Sequence, residues 1–92
     1  PVHSASKACS VATARITTLR HRPTSYVAFC DDIPEEFSPD GYYVTGLRAY
    51  CNESLGCGST LMGWFAVRKS DGGVFEYDVA ESTVGRPVTE AS

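Results

Sequence analysis

A chain of 92 residues, 42% hydrophobic and 21% charged with a formal net charge of −3, has the size and makeup of one globular domain spanning 1–92. That balance excludes a disordered or collagen-like polymer, and no apolar run approaches the ~18 residues a membrane span needs. A net acidic chain is also a poor default for nucleic acid, so no nucleic-acid partner is expected.

Residues 4–20 predict a helix. On a helical wheel Ala5, Ala8, Cys9, Ala12, Ile16 and Leu19 share one stripe. Ser4 or Ser6 suits the N-cap, and Arg20, His21 and Arg22 place cations at the negative end of the helix dipole. Pro23 then turns Arg22 out of the helix. Residues 25–30 read as a short buried strand. Residues 31–41 form a polar connection, with Pro34-Glu35-Glu36-Phe37 suited to one helical turn and Ser38-Pro39-Asp40-Gly41 to a tight turn. Residues 42–51 read as a long strand, with Gly46 marking a bulge or a close approach. Strands over 61–69 and 74–79 follow. Between them a three-residue Asp71-Gly72-Gly73 loop would set Val67 against Tyr77, Phe65 against Val79 and Arg68 against Glu76. After Val79 the chain reads as a turn and a polar tail, frayed over 87–92.

The four cysteines, Cys9, Cys30, Cys51 and Cys57, are even in number in a short chain, which favours a disulfide framework and an oxidising compartment. Zinc ligands come in closer pairs than any here, so no metal site is expected from them. Of three connectivities, Cys9–Cys30 with Cys51–Cys57 fits best, because it ties the helix to the first strand and clips a Gly-containing loop. The expected fold is therefore α+β: one N-terminal helix on a four-stranded antiparallel meander, stapled by disulfides.

No set of residues suggests catalysis. His3 and His21 are the two histidines, one in a terminus expected to be mobile and one on the polar side of the helix, and no Gly-x-Ser-x-Gly elbow occurs. Asp31, Asp32, Glu35, Glu36 and Asp40 form an acidic stretch without the spacing of a calcium loop. Pro1-Val2-His3 could hold Cu(II) or Ni(II) in a square-planar nitrogen site if Pro1 carries a free amino group. No cofactor is expected.

The aromatics carry more information. Tyr26, Tyr42, Tyr43, Tyr50, Trp64, Phe65, Phe75 and Tyr77 all fall in predicted strands, and alternation sends about half of them away from the helix. Trp64 falls on the side of Arg68. Tyr42, Trp64 and Arg68 together have the composition of a protein-binding hot spot. The competing reading is plain sheet packing by cross-strand aromatics.

Gly63-Trp64-Phe65-Ala66-Val67 followed by Val74-Phe75-Glu76-Tyr77-Asp78-Val79-Ala80-Glu81 resembles the end of small exported proteins of unknown function from Gram-negative, Burkholderia-like bacteria. The likeness covers roughly residues 43–88. It implies a periplasmic or secreted bacterial protein and brings no catalytic residue or ligand. The expectation is thus a non-enzymatic, monomeric, exported module that binds another protein through the exposed sheet face or the loops at 31–41 and 52–60, as an inhibitor, immunity protein or host-interaction factor. The alternative is a small-ligand or metal-binding periplasmic protein that uses a pocket between helix and sheet or His3.

Overall fold

A computed structural model describes residues 1–50 and 59–88. It has one helix, α1 (Ala5–Leu19), and five strands: β1 (Val27–Asp32), β2 (Tyr42–Tyr50), β3 (Ser59–Arg68), β4 (Val74–Asp78) and β5 (Thr83–Pro87). The strands form one antiparallel sheet in chain order, β1-β2-β3-β4-β5. The expected helix on an antiparallel meander is what forms, with one strand more than the four read from the sequence.

The helix starts where Ser4 Oγ accepts the Lys7 amide at 3.1 Å. It ends in a Schellman turn. The Arg22 amide donates to the Thr17 carbonyl at 2.8 Å and the His21 amide to Thr18 at 3.2 Å, while His21 takes the left-handed conformation at φ 56°. His21 thus closes the helix. Ala8, Ala12 and Ile16 form the buried stripe, and the small alanines let the helix lie close over the sheet, chiefly on β2. They pack on Leu47, Phe65, Val67 and Val74, so the space between helix and sheet is filled core. Val2 belongs to the same core, 4% exposed, and its amide donates to the Lys69 carbonyl at 2.8 Å. The N-terminal segment is therefore docked up to Val2, against the expectation of a mobile terminus.

The Cys9–Cys30 disulfide forms as expected and ties α1 to the edge strand β1, with Cα atoms 6.0 Å apart. Cys51 and Cys57, and with them the second expected bridge, lie outside the described residues. β1 begins two residues later than the sequence suggested, because Thr24–Tyr26 winds into a 3-10 turn after Pro23. It runs on to Asp32, since Asp31 finds Arg48 across the strand pair at 2.6 Å.

The β3–β4 hairpin differs from the sequence reading by three positions. Phe65 faces Glu76, Ala66 faces Phe75 and Val67 faces Val74. The cause is Asp71. Its carboxylate accepts the Gly73 amide at 2.9 Å and both Nε and Nη2 of Arg68 at 2.9 and 2.7 Å. This folds residues 69–72 into a wider loop, closed by the Arg68 amide on the Gly73 carbonyl at 2.8 Å. Within the loop Gly72 takes the left-handed conformation, at φ 75°. An odd slip moves β4 side chains to the other face, so Tyr77 lies away from the helix and Arg68 pairs with Asp71 instead of Glu76.

β5 is the strand the sequence reading took for a turn and tail. Val84 packs against Tyr77, and Pro87 sits in the last edge position, where its missing N–H costs no ladder bond. Val88 continues the order, its amide on the Val74 carbonyl at 2.9 Å and its side chain against the helix-side core.

Candidate functional site

The sheet face remote from the helix has its own apolar cluster. Strand alternation brings Tyr42 and Val44 of β2, Trp64, Ala66 and Arg68 of β3, and Phe75 and Tyr77 of β4 to this side. Ile33 and Val84 pack at its margins. Val44 and Ala66 at the centre are buried beneath larger neighbours, while Tyr42, Trp64 and Phe75 are half-buried.

Gly46 sets the position of Trp64, its register partner. A Cβ at Gly46 would sit 3.0 Å from Cε3 and Cζ3 of the indole and 3.1 Å from Cη2. The ring therefore lies flat on the Gly46 backbone, a close approach that only glycine permits here.

The other end of the face carries a compact group. Tyr42 and Arg68 are register partners. The Tyr42 and Phe75 rings meet edge to face, 5.8 Å apart at 83°. The Arg68 guanidinium lies 4.9 Å above the Phe75 ring. Its fork holds Asp71, whose carboxyl is lowered to about 2 by the Arg68 hydrogen bonds and then by the Gly73 amide. The same pair raises Arg68 above its ordinary value. The structure thus puts all three candidate binding residues on one face. Tyr42 and Arg68 are adjacent, and the Val44–Ala66 row lies between them and Trp64. Phe75 and Asp71 belong to the group and were not singled out from the sequence. The three-residue spacing of Arg68 and Asp71 across a turn was the available signal.

Three ion pairs hold charges around the sheet. Asp31 takes Arg48, Asp71 takes Arg68, and Glu35 takes Lys69, whose ammonium also lies 4.7 Å over the Tyr43 ring. The Glu35 contact raises Lys69 above its ordinary value. Two members of the acidic stretch, Asp31 and Glu35, therefore serve the fold. Beside Tyr42, an open groove of about 680 Å³ runs between residues 1–3, 40–43 and 68–70.

The histidines stand apart from this arrangement. His3 is exposed, and the Val2 amide that a square-planar terminal site would need already donates to Lys69. Among the described residues, no three His, Cys, Asp or Glu side chains gather at a metal-sized site, and no helix is long and apolar enough to cross a membrane. No family model, curated protein or solved structure matches the chain, so the likeness of its hairpin residues to exported bacterial proteins names no family.

Proposed function

We propose that this protein is an exported, non-enzymatic module that binds another protein through the sheet face remote from its helix. The observation that carries the reading is the grouping of Tyr42, Phe75, Arg68 and Trp64 on a face the helix leaves uncovered. Tyr, Trp and Arg are enriched among the few residues that dominate binding energy at protein interfaces. Arg68 is already held by Asp71 and Phe75, so little side-chain freedom is lost when a partner arrives. The Cys9–Cys30 bridge supports a secreted or periplasmic setting, where disulfides persist. Inhibitor, immunity and host-interaction roles are all open to such a module.

The test is capture from secreted and periplasmic fractions on the immobilised, disulfide-intact chain, repeated with Tyr42→Ala and Trp64→Ala after circular dichroism shows each variant folded. One stoichiometric partner, lost with either variant, is expected. Because Arg68, the charge within the group, is already paired with Asp71, capture should survive high salt. Unchanged capture by both folded variants would rule out this face.

A further inference from the structure

The two outer edges of the sheet are guarded against further pairing. β1 carries Asp31, Asp32 and a register shift between Val27 and Phe29, and β5 carries Arg86 and Pro87. A third edge lies inside the sheet. β3 pairs with β2 along Ser59–Arg68 but with β4 only over Phe65–Val67. Thr60–Trp64 thus has no second strand neighbour among the described residues. Two irregularities lie just beyond the point where this pairing stops: Met62 is an extra residue in the ladder with β2, and Gly63 sits at φ 149°.

This inner edge reads Thr-Leu-Met-Gly-Trp, without a charge or a proline. Its Met62 carbonyl accepts a long 3.4 Å bond from exposed Arg20 at the end of the helix, a contact that a backbone amide could replace. Beside it, where β3 and β4 part, is an open groove of about 580 Å³. Met62 and Phe65 give it apolar lining, and Arg20, Glu76 and Asp78 give it charged lining. Asp78 accepts the Glu81 amide at 3.1 Å, whereas Glu76 has no cationic partner among the described residues.

We propose that the Thr60–Trp64 edge of β3 binds an extended peptide segment by strand addition. Main-chain hydrogen bonds to β3 supply the affinity, and apolar side chains of the peptide lie along Met62 and Phe65. A lysine or arginine of the peptide meets Glu76, which makes the preferred occupant a basic, β-prone segment. The site is separate from the remote face, since the Trp64 ring lies on that face while its backbone lies on this edge.

The test is amide chemical-shift mapping of the full chain, titrated with a short capped peptide alternating valine with lysine. Shifts centred on Leu61–Phe65 are expected, with none from the same peptide N-methylated throughout, which keeps side chains and charge but cannot donate. Glu76→Gln should weaken binding roughly two- to fivefold, the scale of an exposed ion pair. Tyr42→Ala should leave peptide binding unchanged, which separates this edge from the remote face. Equal binding of the N-methylated peptide, shifts centred elsewhere, or no binding would overturn the proposal. So would concentration-dependent shifts at these amides without peptide, which would make a second copy the occupant.

Discussion

Replacing Gly46 with alanine adds one methyl group directly beneath the indole of Trp64. The new carbon would lie 3.0 Å from two ring atoms and 3.1 Å from a third. Ordinary carbon–carbon contacts are ~3.5–4.0 Å, so the overlap is about 0.5–1 Å per contact. The Gly46 backbone is not left-handed, and alanine would otherwise gain about 0.4–1 kcal/mol by stiffening the unfolded chain. Lifting the ring off the sheet costs about 1–3 kcal/mol as overpacking. The net expectation is a loss of about 1–2 kcal/mol. Trp64 is the only tryptophan, so urea unfolding followed by intrinsic fluorescence reads both stability and ring environment. The folded Gly46→Ala protein should emit further to the red, because its indole is more hydrated. A variant stabilised by about 0.5–1 kcal/mol with unchanged emission would refute the stacked geometry.

Removing the bridge with Cys9→Ala and Cys30→Ala releases a 21-residue separation, worth roughly 3 kcal/mol of unfolded-state entropy. The melting temperature should then fall by about 12–24 °C, and a fall of only a few degrees would contradict the staple. Thr45 is fully buried with no hydrogen-bond partner for its hydroxyl among the described residues, so Thr45→Val should stabilise by about 1 kcal/mol in denaturant unfolding, and destabilisation would show the hydroxyl is satisfied. Asp71 has a folded pKa of about 2, below its ordinary 3.8. Its turn is therefore intact above about pH 4 and loses its contribution as pH falls through about 2. The Gly73 amide shift should titrate with that low midpoint, and a midpoint near 3.8 would show that Arg68 does not hold the carboxylate.

Much of the fold was legible because local signals agreed. The Ala8–Ala12–Ile16 stripe, the Ser4 cap and Pro23 fixed the helix, and Cys9 on the stripe's edge pointed to a strand beneath it. What escaped depends on long-range pairing. Thr83–Pro87 has one half-buried side chain, Val84, followed by Gly85, Arg86 and Pro87, so it shows no strand pattern of its own; β4 and Tyr77 supply its reason to pair. The hairpin register was misread because matching Arg68 with Glu76 looked favourable on paper. A nearer acid, Asp71, captures Arg68 within the turn and shifts the ladder. For the candidate face, period-two alternation correctly put Trp64 and Arg68 on one side. The Gly46–Trp64 stack and the inclusion of Phe75 required the actual registers.

Hydroxyl-radical footprinting, on the free chain and on the chain saturated with a captured partner, tests the central claim most directly. Binding through the remote face predicts protection at Tyr42, Trp64 and Phe75, with exposed helix residues such as Lys7 and Arg15 unchanged. Protection confined to the helix, with Tyr42, Trp64 and Phe75 as reactive as in the free chain, would contradict it.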